Sequence, residues 1–266
     1  MAHSPEPAKV TGDDLRTLGN GVTALVVFII AGLIFLFASD LDDWVRAKRL
    51  AAVEEGAVYR SAQLSPVRLE GVLDDLNIRR IIRLTANDPK DDWQQIELFV
   101  ADKMDIDVEV HHLMGNGTGD PAIYIDVLES MYVSRANGEP VLVHCATGSQ
   151  RTGVASLLWQ VLLLDVPVDD AIDDLLWYNH RPHRNGALKP YLRRYIPRIT
   201  AELQARGIPA RDITEDELAQ LPLECPECAD RPEPVEGEIP EYSEDCYGCD
   251  LWPVTPQVAA AGPTGR

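Results

Sequence analysis

The first apolar block of the chain is long and uninterrupted. No charged residue lies between Thr17 and Ser39, and the stretch VTALVVFIIAGLIFLFA at 22–38 is almost wholly apolar. A helix of this length crosses a bilayer core of about 30 Å, whereas a buried soluble helix keeps a polar face. We therefore expect a transmembrane helix at 21–39 behind a tail at 1–20. A cleaved signal peptide is the alternative, although LFASD is a poor cleavage site.

Basic residues flank this block unevenly. Arg46, Lys48 and Arg49 follow it, against Lys9 and Arg16 before it. Counting positive charges on the two sides places the C-terminal bulk of the chain in the cytoplasm. We expect a single-pass membrane protein with its folded domain in that compartment, where thiols stay reduced.

Short apolar runs alternate with helical patterns after the apolar block. Strands are predicted in AVYRSAQ, IRRIIRLT, IDVEVHHL and EPVLVHC. A cap residue followed by proline marks three of the helix starts. Helices are predicted from Pro66 to about Asp75, from Asp88-Pro89 to about Lys103, from Asp120-Pro121 to about Ala136, and over 152–164, 168–178 and 188–204. This alternation predicts an α/β fold, with a central and mostly parallel sheet flanked by helices.

The composition divides the chain into further segments. We expect a linker at 40–54, the α/β domain at 55–205 and a linker helix at 206–222. From residue 223 onward the chain is rich in proline, acidic residues and cysteine, so it cannot bury a core of its own. The last residues, 253–266, are expected to be disordered.

The charge of the chain excludes one class of partner. The 266 residues carry a formal net charge of −19, and the pI is near 4.6. Non-specific affinity for nucleic acid comes from basic patches. We therefore expect no nucleic-acid partner.

Four of the five cysteines form two C-x-x-C pairs in the segment 223–252, with 17 residues between the pairs. This spacing fits a tetrahedral zinc site with four thiolate ligands, and the metal would then fold the segment. Such a closed site is structural, because no coordination position is open to a substrate. Two disulfides, or free thiols in a disordered tail, are the alternatives. The four residues are Cys225, Cys228, Cys246 and Cys249.

The fifth cysteine, Cys145, ends a predicted strand and precedes a helix. Sites in parallel sheets form at the carboxyl ends of strands, and a helix N-terminus binds anions with its free N–H groups. Arg151 adds a planar fork for phosphate oxygens, and Gly148 permits a close turn. A thiol in this positive field has a lowered pKa. Cys145 is therefore a candidate nucleophile for covalent phosphoryl transfer.

The sequence HCATGSQRT at 144–152 resembles the H-C-x5-R-T signature loop of cysteine-dependent protein tyrosine phosphatases. VYRSAQLSP at 58–66, with the later IIRLT, resembles the first segment of the compact dual-specificity-like branch, which includes bacterial members. The resemblance covers about residues 55 to 205.

This resemblance implies a role for each residue of the loop. Cys145 would form a phosphocysteine, Arg151 would stabilise the transition state, and Thr152 would hydrogen-bond the thiolate. His144 would hold the loop, or would be a structural histidine without a chemical role. The phosphoryl oxygens would be bound at Ala146, Thr147, Gly148, Ser149, Gln150 and Arg151.

The chain departs from the family at the general acid. The family supplies an aspartate that protonates the leaving oxygen, and the spacing places it at LMGN, 113–116, which has no carboxylate. Asp120 is the nearest carboxylate that follows and is the candidate acid, although Asp before Pro is also a helix cap. Asp88, His111 and His112 are weaker candidates. An enzyme without the acid would be limited to good leaving groups.

These observations predict a membrane-anchored phosphatase for phosphotyrosine or related monoesters, with no cofactor for catalysis. The predicted substrate is a phosphorylated protein or a lipid phosphate. A phospholipid-head-group phosphatase and a phosphate-binding pseudophosphatase scaffold are the alternatives. The presence of both Cys145 and Arg151 disfavours the scaffold, and the absence of lysine from the loop disfavours polyanionic substrates.

Overall fold

The computed structural model describes residues 47–181 and 186–221 of the chain. The predicted transmembrane helix and the four paired cysteines lie outside these residues. No helix within the described ranges is both long enough and apolar enough to cross a membrane.

Five short strands form one mixed sheet. They are β1 (Ala51–Glu54), β2 (Val58–Ala62), β3 (Arg80–Arg83), β4 (Asp107–Val110) and β5 (Val141–Cys145). The order across the sheet is β1-β2-β5-β3-β4. β5 pairs in parallel with β2 and β3, and β3 with β4, while β1 runs antiparallel to β2. The prediction of an α/β fold with a mostly parallel sheet is confirmed.

Seven helices are described. The helices after β2, β3 and β4 each lead to the next strand, and the other four follow β5. The seven helices are α1 (Pro66–Asp75), α2 (Asp92–Lys103), α3 (Pro121–Asn137), α4 (Gln150–Leu163), α5 (Val168–Trp177), α6 (Leu188–Ala205) and α7 (Glu215–Ala219). The larger hydrophobic cluster lies between one face of the sheet and α3 to α6. A smaller cluster lies between the other face and α1 and α2.

The central strand β5 is buried on both faces. Val141, Val143 and Cys145 face the larger cluster, and Leu142 faces the smaller one, because successive side chains of a strand point to opposite faces. This double burial explains why the sequence before Cys145 is continuously apolar instead of alternating. It also places the cysteine at the carboxyl edge of the sheet.

One helix begins later than the sequence predicts. The Asp-Pro pair at 88–89 does not start α2, which begins at Asp92. The side chain of Asp91 accepts hydrogen bonds from the N–H groups of Trp93 and Gln94 and so satisfies two donors of the first turn. The prediction of a start at 88–89 was wrong because several residues of this loop can serve as caps.

One strand was not predicted at all. β1 lies within the expected linker 40–54, and it pairs Ala51 with Arg60 and Ala52 with Tyr59 of β2. Its sequence AAVE is short and only half-buried, as is common for an edge strand. A four-residue edge strand of this composition leaves no clear alternation of apolar and polar residues.

We expect Leu158→Ala in α4 to lower the free energy of unfolding by about 2–5 kcal/mol, because it removes a fully buried side chain from the larger cluster. Leu98→Ala in α2 is the matched control, since that side chain is 39% exposed. Urea unfolding of both variants measures the difference. Equal effects would mean that the cluster around α4 is not the principal core.

Candidate active site

The site begins where β5 ends. Cys145 is 1% exposed, and the loop 146–149 joins it to α4. Gly148 has φ +70°, and a Cβ atom there would lie 2.6 Å from the backbone nitrogen of Ala62 and from the carbonyl oxygen of Ser61. Only glycine fits this turn against the end of β2. The Gly148 N–H donates a hydrogen bond to Cys145 Sγ at 3.2 Å.

The groups around Cys145 favour its thiolate. Burial alone would raise the pKa of the thiol, but the nearby side chain and backbone N–H of Thr152, the charge of Arg151 and the Gly148 N–H together lower the pKa below its usual value. The Thr152 side chain is fully buried. The structure therefore brings together the three residues that the sequence assigned to the nucleophile and its stabilisation.

Arg151 lies in the first turn of α4 and is half-buried. Its Nη1 lies 3.4 Å from the carbonyl oxygen of Leu84, which follows β3. The guanidinium therefore spans from the helix N-terminus to the end of the neighbouring strand. The helix dipole and this guanidinium place positive charge on the side of the loop where a phosphate would bind.

The carbonyl groups of the loop point away from the thiol and are held from outside. The Gln63 backbone N–H donates to the Ala146 carbonyl at 3.3 Å. Arg49 Nη1 donates to the Thr147 carbonyl at 2.6 Å, and Arg60 Nη2 donates to the Gly148 carbonyl at 2.6 Å. These contacts could not be predicted from the sequence, because Arg49 and Arg60 lie about ninety residues before the loop.

A buried ion-pair network lies behind the nucleophile. His144 Nε2 lies 2.8 Å from one carboxylate oxygen of Glu97, and Arg83 Nη1 lies 2.9 Å from the other. Burial would lower the pKa of His144, but the charge and hydrogen bond of Glu97 raise it. Burial would likewise raise the pKa of Glu97, but the neighbouring His144 and Arg83 lower this pKa below its usual value. A buried carboxylate thus raises the pKa of the histidine that directly precedes Cys145.

Asp120, the predicted acid, is used as a cap in this structure. Its carboxylate accepts a hydrogen bond from the Ala122 N–H at 2.9 Å at the start of α3. The loop before it packs on α4, because a Cβ at Gly117 would lie 2.9 Å from the side chain of Val154. The loop is therefore fixed beside the site, while no hydrogen bond joins Asp120 to Cys145 or Arg151 within the described part of the chain.

Two of the three weaker candidates for the acid, Asp88 and His111, have local partners. Asp88 accepts a hydrogen bond from the Lys90 N–H at 2.9 Å, and His111 Nε2 lies 3.3 Å from Glu109. Within residues 47–181 and 186–221, no three side chains of the metal-binding kinds form a group that could hold an ion. The zinc prediction concerns cysteines outside these ranges and stays a prediction.

Comparison with known proteins identifies the family of the chain. The family model described as the tyrosine phosphatase family matches residues 40–203. This is more than half of the chain, which therefore belongs to the tyrosine phosphatase family. Among curated proteins, no sequence matches it significantly.

Solved structures of several phosphatases are similar. The catalytic core of Siw14, a PP-IP phosphatase from S. cerevisiae, is 16% identical, with a TM-score of 0.50 over 61% of this chain and 94% of that one. This similarity shows the fold alone. TpbA of P. aeruginosa is 17% identical over 52% and 81% of the two chains, with a TM-score of 0.43. PTPMT1 in complex with PI(5)P is 15% identical over 60% and 99%, with a TM-score of 0.43.

We expect Thr152→Val to raise the pKa of Cys145, because the substitution removes a hydroxyl that stabilises the thiolate. The midpoint of the thiolate titration should therefore move to higher pH, because the charged form loses a dipole that favours it. The ultraviolet absorbance of the thiolate, taken as the difference from Cys145→Ser, measures this midpoint. Thr200→Val, at another buried threonine, should leave the midpoint unchanged.

Proposed function

We propose that this chain hydrolyses phosphomonoesters, with phosphotyrosine as the preferred substrate class, through a phosphocysteine at Cys145. The observation that carries the proposal is a buried thiol whose pKa is lowered, located at the N-terminus of α4 beside Arg151. A group with this charge and this anion-binding setting is an activated nucleophile for a bound phosphate. A phosphate-binding scaffold does not need the thiol.

The proposed reaction has two steps. In the first, Cys145 Sγ attacks phosphorus, the bond from phosphorus to the ester oxygen breaks, and the leaving oxygen takes up a proton. In the second, water attacks the phosphocysteine, which releases phosphate and restores the thiolate. The inward N–H groups of the loop and the Arg151 guanidinium bind the phosphoryl oxygens in both transition states. Thr152 donates to the thiolate as it leaves.

The leaving group is the reason to prefer phosphotyrosine. A phenol has a pKa of about 10, so its anion leaves more readily than the anion of an aliphatic alcohol and depends less on an acid. The structure holds Asp120 as a helix cap, without a hydrogen bond to the nucleophile. A site of this kind favours aryl esters over phosphoserine and phosphothreonine.

One observation favours the alternative substrate, a phospholipid head group. Lys48 and Arg49, near the start of the described residues, lie at the phosphate loop and the end of β2, since the Lys48 carbonyl accepts from the Ala62 N–H at 2.9 Å and Arg49 donates to the Thr147 carbonyl. The predicted membrane span ends at residue 39, nine positions before Lys48 in the sequence. We therefore propose a phospholipid head group as the second candidate substrate of the loop.

The full-length chain in detergent, beside its Cys145→Ser variant, tests this function. We expect hydrolysis of an aryl phosphate and of a phosphotyrosine peptide, with a loss of at least about a thousandfold in the variant. A phosphorylated lipid in vesicles is the third substrate, and its preferential cleavage would support the head-group alternative. Vanadate binding without any turnover would instead identify a phosphate-binding scaffold.

We expect Asp120→Asn to lower kcat on the phosphotyrosine peptide by about 10²–10⁴-fold if Asp120 is the general acid. The same variant should cleave an activated aryl phosphate at nearly the normal rate, because that leaving group needs no proton. Asparagine is an equally good helix cap, so α3 should remain intact. Asp91→Asn is the matched control, because Asp91 caps α2 in the same way and is not a candidate acid. An unchanged kcat on the peptide would remove Asp120 from the mechanism.

A further inference from the structure

The phosphate loop depends on the orientation of its peptide groups. A trans peptide is planar, and its C=O and N–H point in opposite directions. A carbonyl that is held outward therefore turns the N–H of the next residue inward, toward the thiol and the phosphate. Arg49 holds the Thr147 carbonyl at 2.6 Å, and the N–H of that same peptide, on Gly148, reaches Cys145 Sγ at 3.2 Å.

Arg60 does the same for the next peptide. Its Nη2 holds the Gly148 carbonyl at 2.6 Å, which turns the Ser149 N–H to the opposite side. Because Gly148 adopts φ +70° and glycine is conformationally permissive, the peptides on either side of it are the ones most able to flip. A flipped peptide would point an oxygen atom at the bound phosphate and repel it.

Arg60 differs from an ordinary structural arginine in its burial and in its charged neighbours. The side chain is 1% exposed, and the guanidinium carbon lies 3.8 Å from the ring centroid of Tyr178. Among the described residues, no carboxylate lies within ion-pair distance of it. Burial lowers the pKa of Arg60 to about 10, while Asp174 and the Cys145 thiolate act in the opposite direction. Arg60 is therefore still a cation at neutral pH, and it lies under the loop.

We propose that Arg49 and Arg60 are positioning residues of the phosphate loop, which hold the carbonyls of Thr147 and Gly148 outward so that the following N–H groups face the anion. Arg60 also contributes a buried positive charge without an ion-pair partner, which the thiolate and the phosphate balance. The inference rests on the proposed phosphatase function, but it concerns residues outside the signature loop.

The test compares Arg49→Ala with Arg79→Ala. Arg79 is a matched control, because its side chain also makes a 2.6 Å hydrogen bond at an exposed position, to Asn77, and it precedes β3 at the opposite edge of the sheet. We expect Arg49→Ala to lower kcat/KM and the affinity for vanadate by about 3- to 10-fold, the effect of one exposed, charge-assisted hydrogen bond. Arg79→Ala should stay within about twofold, and both variants should unfold at the same temperature.

Two substitutions of Arg60 extend the test to the buried position. Arg60→Lys keeps the charge, and Arg60→Met removes both the charge and the donors at similar length. We expect a larger loss of vanadate affinity in Arg60→Met than in Arg60→Lys. If Arg60→Met does not fold, the half-buried Arg49, whose hydrogen bond is solvent-accessible, still decides the result, and Arg49→Lys should recover part of the loss.

Amide hydrogen exchange of the loop 146–149 gives a readout that is independent of turnover. Faster exchange in Arg49→Ala than in Arg79→Ala supports the inference even if the wild-type chain hydrolyses nothing, in which case only the proposed function fails. Conversely, if Cys145→Ser is inactive while Arg49→Ala keeps normal kcat, vanadate affinity and loop exchange, the function stands and the inference is overturned. A loss of vanadate affinity that follows a lowered unfolding temperature would also overturn it.

Discussion

The burial of the Cys145 thiol, which acts as a nucleophile only as the thiolate, is the constraint on which the rest of the site depends. A thiolate that is almost wholly removed from water is unstable unless donors and positive charges replace its hydration. The chain supplies them in residues that follow the cysteine, namely Gly148, Arg151 and Thr152. The apolar strand β5 and the helix α4 are therefore the rigid supports of an electrostatic arrangement.

The positive groups around the thiolate are themselves arranged by a second layer of contacts. Glu97 lies between His144 and Arg83 in the network behind β5, with one carboxylate oxygen near each of them. Arg60, on the adjacent strand β2, has no ion-pair carboxylate in the described part of the chain and touches the loop directly. Its uncompensated positive charge thus lies beneath the loop, behind the carbonyls whose partner N–H groups face the anion, and it favours a preorganised anion site.

The local parts of this site could be predicted from the sequence, and the distant parts could not. Cys145, Gly148 and Arg151 belong to one strand-loop-helix unit, whose geometry follows from apolar periodicity and helix-terminus chemistry. Arg49 and Glu97 reach the site only through the pairing order β2-β5-β3, which a single sequence does not contain. For the same reason the buried role of Arg60 was missed: an arginine in a short strand reads as a surface residue until both neighbours of the strand are known.

The route of the chain into the domain makes its first described residues part of the site. Residues 47–50 contact the ends of both β2 and the loop, and β1 then turns back along the edge of the sheet. The first described residues of the chain are thus part of the catalytic framework, although the composition of 40–54 suggested a linker. A segment that holds the Thr147 carbonyl cannot move without changing the Gly148 N–H that faces the thiolate, since one planar peptide carries both groups. The Arg49 contact therefore couples the first described residues of the chain to the orientation of the N–H groups in the loop.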